Sequence, residues 1–495
     1  MCYVAAMASR PWLPVSAVIA LALAASLWLA GAFPLIDPDE GRNAEVAREM
    51  IERGDAIIPH LAGMPYLDKP PALFWAAGLA IGALGATPLA ARLPAVLAAC
   101  LTLLVLGRLA LREADPHFAV RAVALTAASP LFAVISAYVI FDMPLALCVT
   151  VVWTGLAREL SRGASGRRRA AMFLALALGV LIKGPVMLAW AVGGSLGAAL
   201  LLRRAGALRW LAWWPGWLAF LVLAGGWFAL ATARLPEYPR YAFLEESLER
   251  LTSGSFRREQ PWWFVPAVLA GGALPWSLAT PWVALWRRGR DADSDAAAMP
   301  GGGIAARVAL GFVVFAAIFF TISRSKLVTY LLPALPPLAW LAAAAWTRYR
   351  GPARRWAFVA MLAFTPLVLV IGRPALLDYA RSHSGAGLAE AVVAAGGGPV
   401  RFEACYSPGT DYLLGRRGAL VDVSGAETTS NYQLRYRDAL IARGLWTPLA
   451  AADIAAADTA TVVVRSAKRD DPVPDTWREI HRDIRFVAYR GDAPR

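Results

Sequence analysis

Cysteine, lysine and histidine are all scarce in this chain of 495 residues. Cys2 is terminal, Cys100 and Cys148 lie in apolar runs, and Cys405 stands alone near the C-terminus. Such scatter excludes a disulfide framework and a thiolate metal site. His60 and His117 are isolated and read as structural. Charge is thin as well, at 17% of residues, although the formal balance is +14. In a soluble protein that balance would suggest nucleic acid. Here the arginines fall in short clusters between hydrophobic runs, which excludes that partner and reports membrane topology instead. Of the 49 basic residues only Lys69, Lys183, Lys326 and Lys468 are lysines. Each is a candidate for a position that needs a compact ammonium and not a guanidinium fork.

What the chain has is apolar length. It is 58% hydrophobic with 20 tryptophans, and runs long enough to cross a bilayer recur through most of it. The run from Trp12 to Phe33 is too long for the apolar region of a signal peptide and leads directly into a charged loop, so it reads as a retained span. Further spans are expected at 89–110, 118–137, 143–160, 169–182, 185–202, 210–231, 262–286, 303–322, 327–347 and 355–373. The run 72–87 is short and broken by Gly78, Gly82 and Gly85, and reads as a juxtamembrane or re-entrant helix. Arginine clusters at 108–121, 158–169, 203–209, 287–290 and 348–355 are taken as cytoplasmic. The loops 35–71, 138–142, 183–184, 232–261 and 323–326 then share the opposite face. This predicts a polytopic α-helical membrane protein with about 11–13 transmembrane helices plus juxtamembrane ones.

The loop between Asp37 and Pro71 is the most informative stretch. Asp37-Pro38-Asp39-Glu40 reads as a helix start, with Asp37 at the N-cap, Pro38 at the first helical position and Glu40 three residues after the cap. Val46, Ala47, Met50 and Ile51 recur at helical spacing, and Gly54 stands where a glycine stops a helix. The spacing predicts an amphipathic helix along a membrane surface, with Asp39 at the bilayer boundary. Its position at a helix N-terminus favours the anion. Tyr66-Leu67-Asp68-Lys69-Pro70-Pro71 then pins an acid and a rare lysine at the edge of the next apolar run. The plainer reading is a solvated loop whose acids pair with its own arginines.

Residues 232–261 form a second external loop, with an amphipathic helix expected through Tyr241, Leu244, Leu248 and Leu251 and a basic Arg257-Arg258 pair at its end. The proline- and tryptophan-rich stretch that follows fits interfacial anchoring and a kinked helix. Residues 287–303 read as a flexible cytoplasmic linker. From about Arg381 the composition becomes that of a soluble domain. Helices are expected at Gly387–Ala395 and Tyr432–Arg443, and strands near Val400–Cys405, Ala419–Val423, Thr461–Val464 and Phe486–Tyr489. This predicts a small α/β domain at 379–495 on the external side, behind a transmembrane domain at 1–378. No phosphate-binding glycine motif, HExxH or GxSxG occurs there, so no catalysis is assigned to it.

The topology places Asp39, Lys69, Asp142, Lys183, Arg257, Arg258 and Lys326 on one face. Ionisable groups at span ends are costly unless they line a polar cavity, so a shared water-accessible pocket is expected. Lysine and arginine there could neutralise a lipid-linked phosphate as it leaves. A carboxylate could activate a hydroxyl or stabilise positive charge on a sugar's anomeric carbon. The acids' spacing fits no standard ligand set, so no metal or cofactor is assigned. Against this, Asp142 could cap a helix beginning at Pro144, Lys183 could snorkel, and Tyr330 could be an interfacial tyrosine.

The motifs Asp39-Glu-Gly-Arg42, Tyr66 to Pro71, Phe141-Asp-Met-Pro144, Lys183-Gly-Pro185, Pro261-Trp-Trp-Phe with Leu274-Pro-Trp-Ser277, and Ser323 to Pro333 occur in one order. Together they resemble the GT-C glycosyltransferases of family 39, and within it the aminoarabinose transferases that modify lipid A. The resemblance runs to about residue 340 and more loosely beyond. It implies a GT-C fold in a bacterial inner membrane, a polyprenyl-phosphate-linked sugar donor, a lipid or glycolipid acceptor and inversion at the sugar. By position it implies Asp39 as the catalytic first-loop aspartate with Arg42 as charge partner, and Asp142 as a second cavity acid. Tyr66, Asp68 and Lys69 match the segment meeting donor phosphate and sugar, and Lys326 and Tyr330 a late loop near the phosphate. Two departures stand out. Asp68 replaces the glutamate of the lipid A enzymes, and their histidine before the Pro-Trp-Trp-Phe entry is missing, with Arg257 or Arg258 in that neighbourhood. Alternatives are a protein O-mannosyltransferase-like enzyme, against which stands the lack of a large lumenal insertion, and a transporter or flippase. A transporter predicts internal repeats and midplane charges, and the sequence shows neither.

Overall fold

The computed structural model describes residues 11–249, 258–279, 303–348, 354–421, 427–428, 430–447, 449, 460–469 and 472–491. Arg257, Leu251 and the expected linker up to Gly302 lie outside these.

In chain order, α1 is Trp12–Ala32 and α2 Asp39–Arg53. A small hairpin of β1 (His60–Leu61) and β2 (Met64–Pro65) precedes α3 (Ala72–Leu84) and α4 (Pro88–Glu113). Next come α5 (Pro116–Ala127), α6 (Pro130–Ile135), α7 (Asp142–Arg162), α8 (Gly166–Lys183) and α9 (Val186–Leu202). The helix α10 (Trp214–Arg234), the short α11 (Phe264–Gly272) and α12 (Gly303–Ile322) follow. A 3₁₀ segment, Val328–Ala334, runs into α13 (Leu335–Arg348). The remainder is α14 (Arg354–Ile371), α15 (Arg373–Ser382), α16 (Ala386–Ala394), β3 (Val400–Glu403), α17 (Pro408–Leu414), β4 (Ala419–Val421) and α18 (Asn431–Ala442). Strands β5 (Val462–Ser466), β6 (Trp477–Arg482) and β7 (Phe486–Gly491) close it.

The protein is a multi-pass membrane protein. Six helices among the described residues are long and apolar enough to cross a bilayer, or seven if the pair α14–α15, bent by 52°, is one span. Fewer helices meet that test than the expected spans, for local reasons. The run 118–137 is broken into α5 and α6 at Ser129-Pro130, because proline cannot donate into the preceding turn. Helix α8 carries Arg167, Arg168 and Arg169 in its first turn and Lys183 in its last. Helix α3, at 13 residues, is too short to cross, in keeping with a juxtamembrane or re-entrant element.

Two compact units divide the chain: Met1–Trp28 with Ala95–Ile371, and Leu29–Pro94 with Gly372–Arg495. In the first, Trp340 meets the rings of Phe118 and Trp153 edge-on at 4.8 and 5.8 Å, a geometry each aromatic pair favours by about 0.5–1.5 kcal/mol. Helices α9 and α12 touch backbone to backbone. A Cβ at Gly311 would stand 2.4 Å from the Ala198 nitrogen, so the small residues set the approach. The second external loop departs from expectation. Arg240–Glu249 winds as a π-helix, which rotates side chains away from the 3.6-residue register. Phe243 and Leu244 are exposed there, while Glu245 and Glu246 are buried.

The second unit joins the first external loop to the C-terminal segment. Its sheet has the order β4-β3-β5-β7-β6; β3 is parallel to β4 and β5, while β7 is antiparallel to β5 and β6. Phe402, Val462, Val464, Phe486, Leu388 and Val392 fill its core, which also takes Met64 from the hairpin. Edge strand β6 lacks an apolar run, Trp-Arg-Glu-Ile-His-Arg, and no sequence expectation covered it. Helix α2 begins at Asp39 and ends on Gly54 at φ 63°, as its glycine requires. It is not a solvated surface helix: Glu40, Asn43, Glu45, Arg48 and Glu49 are buried along with Val46, Ala47 and Met50, while Ile51 is exposed.

Those buried charges are paired. Arg92 donates to both oxygens of Glu40, at 2.8 and 2.6 Å, and to the carbonyls of Ala30, Phe33 and Pro34 at 2.9, 2.7 and 2.9 Å. One guanidinium thus ties the end of α1 and the start of α2 to α4. Arg48 makes a second fork onto Glu45 at 2.7 and 2.6 Å and reaches the Gly415 carbonyl at 3.2 Å. Helix α2 crosses α17 at two glycines; a Cβ on Gly41 would stand 2.7 Å from the Gly409 nitrogen. Beyond that crossing lie Glu45, Glu49, Asp411 and Tyr406. Burial raises Glu45 and Glu49 above the ordinary carboxylate range. Burial, reinforced by Glu49, pushes Asp411 up to about 8 against the Gly418 N–H, Tyr406 and Arg48.

Two outcomes are expected. Arg92→Met should destabilise the protein by about 3–5 kcal/mol by stranding Glu40, and Arg92→Met with Glu40→Leu should lose less, as read by thermal unfolding in detergent. Between about pH 4 and pH 8 the folded chain keeps the Asp411 proton while the unfolded chain releases it, so stability falls as pH rises through that window. Thermal midpoints recorded across it should fall less steeply for Asp411→Asn than for the wild type, although Glu45 and Glu49 keep the curve from being flat.

Candidate active site

Each unit gathers a set of the residues singled out from the sequence. In the membrane-spanning unit, Asp142 is the first residue of α7 and Lys183 the last of α8. Asp142 caps nothing: α7 has no side-chain cap, and the carboxylate instead accepts from the Lys183 ammonium. That ammonium sits 4.4 Å over the centre of the Tyr330 ring, an arrangement that favours a desolvated cation on an aromatic face. Lys183 is therefore a partly buried, paired lysine and not a snorkelling one, its side chain 11% exposed. Tyr330, on the 3₁₀ segment, also leans on Phe320 at 5.9 Å.

Lys326 and Arg258 meet through the main chain. The Lys326 N–H donates to the Arg258 carbonyl at 3.0 Å and its ammonium to the Gln260 carbonyl at 2.9 Å. The turn before the 3₁₀ segment is thereby laid against the entry to α11.

In the other unit, Asp39 and Arg42 lie one turn apart on α2. Arg42 donates to the Asp39 carboxylate at 2.6 Å. Asp39 is 57% exposed, whereas Asp37, Glu40, Glu45 and Glu49 are buried. Burial works against the Arg42 charge, yet Tyr66, Asp39 and Asp68 together outweigh it and hold the guanidinium above its ordinary pKa. Tyr66 is buried, its ring edge-on to Phe74 at 6.0 Å. The Lys69 ammonium folds back onto the Asp68 main-chain carbonyl at 2.7 Å.

Asp37 does not cap α2. Its carboxylate accepts from Ser407 Oγ at 2.9 Å, from the Gly409 N–H at 3.1 Å and from Arg485 at 3.3 Å. The local signature was that of an N-cap, but a tertiary partner takes the side chain. Asp68 likewise accepts from the Asn431 and Tyr432 N–H groups, at 3.1 and 2.9 Å, at the start of α18. Sequence reasoning missed Gln433, whose amide donates to the Leu61 carbonyl at 3.0 Å. A signal for it existed: Ser430-Asn-Tyr-Gln433 has the spacing of a capping box, and Ser430 does cap, accepting from the Gln433 N–H at 3.2 Å. Arg92 gave no signal, because it lies inside an apolar run. His60 is held with Nδ1 2.9 Å from the Ile58 carbonyl, and burial with Arg53 lowers it to about 4.

Comparison with known proteins follows this geometry. Residues 68–228 match the family model described as dolichyl-phosphate-mannose-protein mannosyltransferase. The undecaprenyl phosphate-alpha-4-amino-4-deoxy-L-arabinose arabinosyl transferase of Edwardsiella ictaluri is 32% identical over 325 residues, 64% of this chain and 56% of that one. Its namesake in Pseudomonas aeruginosa is 30% identical over 324 residues, 61% of this chain and 54% of the relative. The chain thus spans a little over half the length of these curated relatives. By structure it is similar to ArnT from Cupriavidus metallidurans bound to undecaprenyl phosphate, with TM-score 0.75 and 23% identity over 96% of this chain and 97% of that one. The archaeal oligosaccharyltransferase AglB from Archaeoglobus fulgidus is a more distant likeness, TM-score 0.51 at 12% identity over 91% of this chain and 69% of that one. The chain thus shares its fold with these solved structures and, over part of its length, resembles the aminoarabinose transferases in sequence.

Proposed function

We propose that this protein is an inverting glycosyltransferase that moves a sugar from a polyprenyl-phosphate donor to an envelope acceptor such as lipid A. The reaction is placed on the periplasmic face of the inner membrane, with residues 379–495 as a periplasmic domain behind the transmembrane domain at 1–378. The observation that carries the reading is the state of the acids on α2. Asp37 before the helix and Glu40, Glu45 and Glu49 on it are buried, Glu52 is exposed at its far end but tied to Arg48 at 2.9 Å, and Asp39 at its start is 57% exposed and held by Arg42. A carboxylate so oriented can take a proton from an acceptor hydroxyl. The relatives' names supply the donor class, undecaprenyl phosphate carrying aminoarabinose.

In this reading the acceptor oxygen attacks the anomeric carbon from the face opposite the phosphate. The new C–O bond forms as the bond to the phosphate oxygen breaks, and polyprenyl phosphate leaves with that electron pair. Asp39 receives the hydroxyl proton, and Arg42 fixes its rotamer. Lys69 offsets charge gathering on the leaving phosphate, a task for a compact ammonium. Tyr66 and Asp68 belong to the same donor-facing segment. Asp142, Lys183, Tyr330, Lys326, Arg257 and Arg258 are assigned as further donor contacts, with Asp142 as the second acid. Lys183 on the Asp142 carboxylate sets that acid's orientation.

Purified protein given a polyprenyl-phosphate sugar and an acceptor lipid should release polyprenyl phosphate. Asp39→Asn should lose at least about a hundredfold in turnover, the scale of general-base catalysis, and Asp142→Asn or Lys69→Ala should be impaired less. Full activity of correctly inserted Asp39→Asn would remove that residue from the mechanism.

A further inference from the structure

The donor-facing segment is gripped from the C-terminal side of its own unit, and the grip is specific. At the start of α18 the first three backbone N–H groups all have acceptors. Asp68 takes those of Asn431 and Tyr432 at 3.1 and 2.9 Å, and Ser430 takes that of Gln433 at 3.2 Å. Helix starts leave these donors unpaired, and an anion there also meets the positive end of the helix dipole. The Gln433 side chain then reaches the hairpin, donating to the Leu61 and Met64 carbonyls at 3.0 and 3.4 Å, and its own oxygen accepts from Thr428 at 2.5 Å. Both Asp68 and Gln433 are buried.

Both Asp68 oxygens therefore face protein N–H groups. One residue later, the Lys69 ammonium is held on the Asp68 main-chain carbonyl at 2.7 Å. The carboxylate thus fixes the peptide on which the lysine folds back. We propose that Asp68 is a positioning residue and not a sugar contact: α18, through Asp68 and Gln433, holds the first external loop so that Lys69 is aimed at the donor phosphate. This gives the C-terminal segment, which carries no catalytic motif, a part in donor binding. The inference rests on the reading of Lys69 as the phosphate contact.

The test uses the full-length protein in detergent, with undecaprenyl phosphate as the binding probe. Loss of a helix cap of this kind corresponds to about a tenfold change in an equilibrium. Asp68→Ala and Gln433→Ala should each weaken undecaprenyl phosphate binding about tenfold and raise the donor KM alike, leaving kcat within about threefold. Amide exchange at Asn431 and Tyr432 should rise in Asp68→Ala. The double variant should be no worse than about the worse single one, since the two act as one clamp. In a Lys69→Ala background, Gln433→Ala should have no further effect. A merely structural role would reduce the active fraction, and hence kcat, without moving KM. Unchanged binding in Gln433→Ala, or a kcat loss at constant KM in Asp68→Ala, would overturn the proposal. If the wild type binds undecaprenyl phosphate but transfers no sugar, the transfer reading falls while the binding series still decides the positioning role. Failure of the wild type to bind it would overturn the positioning role itself.

Discussion

The fork of Arg92 on Glu40 is the constraint from which the loop-bearing unit follows. Five N–H groups of one buried guanidinium meet the two oxygens of the buried Glu40 carboxylate and three main-chain carbonyls. Such a pair is worth little as a source of stability compared with a packed apolar replacement, but breaking it strands a charge. It therefore acts as a register pin. With Glu40 fixed, α2 can rotate very little, and Glu45 and Glu49 stay on its covered face. That cover is the C-terminal segment: Gly409 against Gly41, Gly415 on Arg48, and Ser407 and Arg485 on Asp37. The crowded acids under it are tolerated because Arg48 neutralises one and burial keeps Asp411 protonated near neutral pH.

The same pin keeps Asp39 exposed at the start of the helix, whereas the other exposed acid, Glu52, is tied to Arg48. Rotating α2 by one residue would bury Asp39 and expose Glu40, because neighbours on a helix stand about 100° apart. In the proposed reaction the exposed acid and its arginine are therefore presented by a rigid element, and Lys69 by a segment whose backbone is held at Asp68. Elsewhere in the chain Lys183 is pinned in a comparable way, between the Asp142 carboxylate and the Tyr330 ring. Rarity of lysine in an arginine-rich chain singled out both of them in the sequence.

Much of the fold was legible because its signals are periodic or local. Apolar runs gave the long spans, the four-residue apolar stretches gave β3, β4, β5 and β7, and Gly54 stopped α2 as expected. What was not legible depends on partners distant in sequence. Asp37 carries every local mark of an N-cap, yet Ser407 and Gly409 claim its oxygens. Helix α2 looked amphipathic because its charges were counted as solvated, whereas ion pairing lets them be buried. The π-helix at Arg240–Glu249 splits the expected apolar face, burying Tyr241 and exposing Leu244, because its winding differs from the period on which the reading relied. Strand β6 is set by pairing with β7 and not by its own side chains. Of the candidate residues, Asp142 and Lys183 were identified from span ends alone. That Lys183 pairs with Asp142, and that Asp68 is an inter-segment cap, required the fold.

The central claim is transfer of a sugar from a polyprenyl phosphate to an envelope lipid. Mass spectrometry of envelope lipids from cells with and without the protein tests it most directly, because the product reports sugar and acceptor together. The account predicts one lipid class heavier by a single sugar residue when the protein is present, and its loss when the protein is removed. Identical lipid profiles, with the protein abundant and inserted in the membrane, would contradict it.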